Sequence, residues 1–123
     1  MLTVKKFEKI GEDERGKTCC FNVKDYGAFI YITRFEGVLS GNSYHQGLNL
    51  GTKNKTFVLL SGAILLKYRK VGETDVHSLE VREPSVIEIE PFTVHNILAQ
   101  TDIVILENNS LEDIKNDVVR EQV

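Results

Sequence analysis

Turn signals recur along this chain at intervals of about 8–12 residues, and short β-branched and aromatic runs lie between them. That punctuation leaves no room for helices between strands. L-T-V-K-K-F-E-K-I (2–10) alternates weakly and is halted by the charged turn G-E-D-E-R-G-K. T-C-C-F-N-V follows, then the turn K-D-Y-G (24–27), then A-F-I-Y-I-T-R-F-E, the longest aromatic and β-branched run. G-V-L-S-G-N (37–42) reads as a turn. K-T-F-V-L-L and A-I-L-L-K-Y-R-K flank Ser61-Gly62, a loop of the kind that closes a hairpin. V-G-E-T-D joins the second of these runs to V-H-S-L-E-V-R-E. Pro84 and Pro91 end strands, as suits a residue with no N–H to give a ladder. I-V-I-L-E (103–107) reads as the last strand. Ser110-Leu111-Glu112-Asp113 then resembles a capping box, and Leu111, Ile114 and Val118 share a helical stripe. This predicts one helix over about 110–122, lying on the outside of the β-structure.

Strands in this number, without intervening helices, exclude a parallel α/β sheet and favour an all-β sandwich, jelly roll or barrel. The 123 residues fit a single domain spanning 1–123, with no repeat or linker. A net charge of -3 gives no footprint for nucleic acid or an anionic membrane. The N-terminus is too charged for a signal peptide, and no apolar run reaches the ~20 residues of a membrane span, so a cytoplasmic protein is expected. Cys19 and Cys20 are adjacent and point to opposite faces of a strand, which disfavours a disulfide; one packed and one partly exposed thiol are expected.

Four stretches carry a resemblance: D-E-R-G (13–16), E-G-V-L-S-G-N-S-Y-H (36–45), K-N-K-T-F-V-L-L-S-G-A-I-L-L-K-Y-R-K-V-G-E (53–73) and I-E-P-F-T-V-H-N-I (89–97). Together they resemble the cupin superfamily, in its RmlC-like branch of sugar-modifying proteins. That branch holds dTDP-sugar 3,4-ketoisomerases, dTDP-4-dehydrorhamnose 3,5-epimerase-like proteins and the cupin half of a capsular-polysaccharide epimerase/reductase. The resemblance implies a jelly-roll β-barrel, a homodimer, and an internal site for a dTDP- or UDP-linked keto sugar. It also implies isomerase or epimerase chemistry by proton abstraction next to a ketone, in surface-polysaccharide sugar biosynthesis. Such chemistry needs a base active near neutral pH, a donor for the enolate oxygen, and exclusion of water.

Departures from the family pattern narrow the candidates. Where the first cupin motif carries H-x-H, this chain reads Ser43-Tyr44-His45. Where metal-binding relatives place a carboxylate, it has Lys55 or Thr56; the late histidine is kept as His95. Two imidazoles make a poor metal site, so no cofactor is expected; a divalent metal, if bound, would use His45 and His95. The ketoisomerases' arginine position holds Ser40. Tyr31 is one residue out of phase with their tyrosine, on the other face of the strand. The candidates are His45 as base and Tyr44 as acid or sugar-stacking ring, with Arg15, Lys55, Lys67 and His95 as substrate contacts. Arg69 is a further cation for a diphosphate, and His77 matches no motif and is expected to be exposed. Each has a plainer reading: a packed ring for Tyr44, a closed charged turn for Arg15, a solvated sheet face for the lysines. A sugar-binding cupin without catalysis and a metal-dependent cupin of another class are the alternatives.

Overall fold

The computed structural model describes residues 1–24 and 27–123. Asp25 and Tyr26, in the turn expected over 24–27, lie outside the described residues. The strands are β1 (Leu2–Lys6), β2 (Glu8–Asp13), β3 (Gly16–Cys20), β4 (Phe29–Arg34), β5 (Leu39–Tyr44), β6 (Lys55–Ser61), β7 (Ile64–Lys70), β8 (His77–Val81), β9 (Ser85–Ile89), β10 (Thr93–Ala99), β11 (Ile103–Asn108) and β12 (Val119–Arg120). Two short helices, α1 (Leu50–Lys53) and α2 (Leu111–Lys115), complete it. No helix among the described residues is long and apolar enough to cross a membrane.

Two five-stranded antiparallel sheets carry the fold, in the orders β1-β9-β6-β11-β4 and β12-β5-β10-β7-β8. Their inner faces share one aliphatic core, in which Phe57, Leu59, Ile87 and Ile105 of the first sheet meet Ile64, Leu66 and Ile97 of the second. Leu59, Ile64, Leu66 and Ile87 are fully buried, each contributing roughly 1.5–3 kcal/mol by leaving water. The central strands β6 and β10 are buried almost throughout, which explains why F-V-L-L of β6 reads as a continuous apolar run instead of an alternating one, and why β10 buries His95 and Asn96 as well as its apolar residues. This is the cupin jelly roll. The hairpin β2–β3 forms a separate two-stranded sheet beside it.

Several local expectations are corrected. Ser61-Gly62 does not close a hairpin, because β6 and β7 belong to opposite sheets and the loop carries the chain across. Gly62 is required there: its φ is +91°, and a Cβ would meet the Asp102 carbonyl oxygen at 2.4 Å. The next connection, through V-G-E-T-D, does form a hairpin, β7–β8, with Tyr68 opposite His77. The charged turn shrinks to Glu14-Arg15, since Gly11–Asp13 belong to β2. The helix ends at Lys115, because Val119 and Arg120 instead pair with Tyr44 and Ser43. The last strand is therefore β12.

The stretch 37–42 is also not simply a turn, since β5 begins at Leu39. It holds a β-bulge. His95 pairs with Ser43 but Asn96 pairs with Gly41, so Asn42 is the extra residue. Gly41 and Asn42 have φ of 101° and 56°, values that favour glycine and asparagine. Asn42 is pinned by Asn96 Nδ2 and the Val123 N–H on its Oδ1, and by the Glu121 N–H on its carbonyl.

Candidate functional site

The bulge decides which side chains of β5 face inward. Before it, Val38 and Ser40 line a cavity between the sheets; after it, Ser43 and His45 do. The inward phase switches from even to odd positions, which brings His45 inside and leaves Tyr44 outside. Tyr44 packs against Phe92 instead, with ring centroids 6.0 Å apart, and does not line the cavity. His95 enters from β10, on the same face as Ile97. The two imidazoles meet with centroids 5.8 Å apart, although 50 positions separate them. The floor is apolar, built from Phe57, Ile97, Ile103 and Ile105 of the core.

Both histidines are buried, at 5% and 2% exposure. His45 Nδ1 lies 2.6 Å from the Asp117 carbonyl oxygen and His95 Nδ1 lies 3.0 Å from that of Thr93. A carbonyl can only accept, so each Nδ1 carries the hydrogen and each Nε2 keeps its lone pair. Burial lowers the pKa of both. His45 falls below 6.5, with Lys55 and Arg120 adding to the effect and Asp117 opposing it. His95 drops to about 4, with lesser contributions from His45 and Lys55. Two neutral imidazoles at pH 7 result, and neutral imidazole is the form that accepts a proton.

Around them the polar side chains divide by depth. Lys55, 1% exposed, gives its ammonium to Glu107 at 2.8 Å and to the Asn108 carbonyl at 3.3 Å. Glu107 lines the cavity but its charge is matched. At the mouth stand Arg34, Lys115 and Arg120, all exposed. Arg34 donates Nε to Ser40 Oγ at 3.1 Å. A guanidinium from β4 thus stands against the position where the family pattern carries an arginine. Helix α2 and the stretch after it roof the cavity through Ile114, Lys115 and Val118. The helix therefore belongs to the site and is not only an outer ornament of the sheets.

The remaining sequence candidates lie elsewhere. Arg15 sits at the tip of the β2–β3 hairpin, 84% exposed, with its guanidinium held by Asp13 at 2.7 Å. Lys67 projects from the outer face of its sheet, and Arg69 binds Glu121 and the Gln122 carbonyl. Tyr31 is exposed, and His77 is exposed against Tyr68. Cys19 is half-buried, Cys20 exposed, and both are free thiols. Arg34, Glu107, Lys115, Asp117 and Arg120 were not among the sequence candidates. None lies in a motif, and only the Leu111/Ile114/Val118 stripe hinted that the tail packs on the barrel.

A metal fits this donor set badly. Among the described residues no group of three or more His, Cys, Asp or Glu is placed to hold an ion. Lys55 or Thr56 stands at the family's carboxylate position, and Glu107 already has an ammonium partner in Lys55. The cavity measures about 240 Å³. That is slightly below the ~300–1,000 Å³ usual for drug-sized ligands, so it suits one sugar ring and not a whole sugar nucleotide.

Comparison with solved structures places the fold. Capsular polysaccharide assembling protein CapF from Staphylococcus aureus is 25% identical, with a TM-score of 0.66 over 95% of this chain and 34% of that one. This chain thus spans about a third of CapF's length. A mutant of the 3,4-ketoisomerase QdtA from Thermoanaerobacterium thermosaccharolyticum, in complex with TDP-4-keto-6-deoxyglucose, gives a TM-score of 0.73 at 17% identity, covering 98% of this chain and 87% of that one. The dTDP-4-dehydrorhamnose 3,5-epimerase from Sulfolobus tokodaii gives 0.68 at 15%, covering 99% and 72%. The fold is that of the RmlC-like cupins. No curated protein matches the chain by sequence. The family of the polysaccharide biosynthesis C-terminal domain matches residues 11–116, and the chain belongs to that family.

Proposed function

We propose that the cavity receives the sugar of a nucleoside-diphosphate-linked 4-keto-6-deoxy sugar, and that His45 removes the proton from the carbon next to the ketone. The carrying observation is the pair of buried neutral imidazoles, 5.8 Å apart, in a sugar-sized cavity ringed at its mouth by three cations. The C–H bond breaks, its proton goes to His45 Nε2, and its electron pair forms the enolate. Ser43 lines the cavity and offers a hydroxyl to the developing oxyanion; His95 Nε2 accepts from a sugar hydroxyl. Delivery of a water proton to the same carbon from the face opposite His45 inverts a stereocentre; return of the His45 proton to the former carbonyl carbon, with the adjacent hydroxyl's proton passing to the old carbonyl oxygen, moves the carbonyl. Arg34, Lys115 and Arg120 take the diphosphate, leaving the base outside the mouth. The likeness to a ketoisomerase that binds TDP-4-keto-6-deoxyglucose supports this ligand class.

The test is solvent deuterium exchange. In D₂O the protein should place deuterium on the carbons flanking the ketone of TDP-4-keto-6-deoxyglucose, and His45→Asn should lower the rate by about 100-fold or more. Binding of TDP without any exchange would leave a sugar-nucleotide-binding cupin. Unimpaired exchange in His45→Asn would remove His45 from the chemistry.

A further inference from the structure

One buried residue of the C-terminal stretch grips the segment around His45 in three places. Asp117, 3% exposed, accepts the Gln46 N–H on Oδ1 and the Leu48 N–H on Oδ2, each at 2.8 Å. Its own carbonyl takes the His45 Nδ1–H at 2.6 Å. The carboxylate and carbonyl of one side of the chain thus clamp the imidazole and the two amides that follow it. Burial raises the Asp117 pKa, but the Thr52 hydroxyl, the two amides and His45 outweigh that and hold the carboxyl ionised. The clamp is tied down on both sides. Asp117 N–H bonds Ile114 O at the end of α2, and Val119 and Arg120 pair with Tyr44 and Ser43. The His45 carbonyl is held separately by Phe92 N–H at 2.8 Å.

We infer that Asp117 is a positioning residue: its carboxylate fixes the backbone whose carbonyl selects the His45 tautomer, leaving Nε2 as the free base facing the cavity. This rests on the proposed proton abstraction only for its effect on rate. An imidazole flipped to Nε2–H would present a donor to the C–H bond, and no proton could be taken. A purely structural aspartate would hold the loop without governing the ring. The other charged or titratable groups facing His45 are His95 from β10, Lys55 from β6 and Arg120 from β12. Lys55 and Arg120 are cations with no lone pair to offer; His95 keeps one on Nε2, but it is the Asp117 carbonyl that lies 2.6 Å from His45 Nδ1 and takes its hydrogen.

The experiment reads the ring itself. Long-range ¹H–¹⁵N spectra of the ligand-free full chain should show His45 as a pure Nδ1–H tautomer. Asp117→Asn puts an NH₂ against one of the two amides, so its backbone shifts and His45 should become a tautomeric mixture. Exchange on TDP-4-keto-6-deoxyglucose should then fall about tenfold or more in kcat, with KM within about threefold. A folded Asp117→Asn that keeps a pure Nδ1–H ring and wild-type kcat overturns the inference. So does a wild-type ring found as Nε2–H, a measurement that decides the matter even if the variant fails to fold. If the wild type exchanges no deuterium at all, the proposed reaction fails while the tautomer comparison still judges the clamp.

Discussion

His95 takes up a proton near pH 6.5 in the unfolded chain but only at about pH 4 once folded, because burial penalises the imidazolium. The unfolded state therefore binds more protons across that window. Stability is fully present above it, falls as pH drops from 6.5, and levels off below 4, by roughly 3 kcal/mol. His45 acts in the same direction. Urea unfolding midpoints measured from pH 7.5 to 4.5 should decline in the wild type and decline distinctly less in His95→Phe. Equal slopes would mean that His95 titrates freely in the folded protein. His45 and His95 stood out in the sequence because each sits in a frame, after Gly41-Asn42 and in P-x-x-x-H-N. Arg34, Glu107 and Asp117 did not, since a side chain that works through the third dimension leaves no local spacing to read.

The bulge in β5 shows the same limit one level up. Gly41-Asn42 reads as turn chemistry, and the positive φ values that make it so are real. Here they serve a strand that changes phase instead of a chain that reverses. A β-branched residue tolerates φ of 56° poorly, and Asn42 also accepts from Asn96 and Val123. Asn42→Val should destabilise the protein by about 2–3 kcal/mol in chemical denaturation. Its deuterium exchange should drop further than the loss of folded protein explains, because His45 leaves its phase. Retained exchange would show that the bulge does not set the ring. The Ser61-Gly62 loop shows the same limit: loop chemistry states that the chain turns, not which sheet receives it. At the C-terminus the Leu111/Ile114/Val118 period is genuine, yet pairing of Val119 with Tyr44 prevailed over continuing the helix.

Across the whole molecule the formal charge is -3, but the mouth of the cavity is positive. Lys55 neutralises Glu107 below, so Arg34, Lys115 and Arg120 act there without an opposing carboxylate among the cavity-lining residues. TDP affinity measured by calorimetry should fall as KCl rises, since exposed cations are screened over ~8 Å at physiological salt. Lys115→Gln should weaken TDP about fivefold to tenfold, while Lys67→Gln, on the outer sheet face, should leave it unchanged. Equal losses from both would place the nucleotide outside the mouth. The all-β class was legible in the spacing of many short strands, which permits a sandwich, jelly roll or barrel; the jelly roll among these came from the family resemblance.

The apolar floor has a consequence for the proposed reaction. Phe57, Ile97, Ile103 and Ile105, all buried in the shared core, close the cavity on its inner side, opposite the exposed cations of its mouth. Under the proposed reaction a converted molecule would back out before a fresh one settles, so the two should contend for the same berth and added product should slow the exchange.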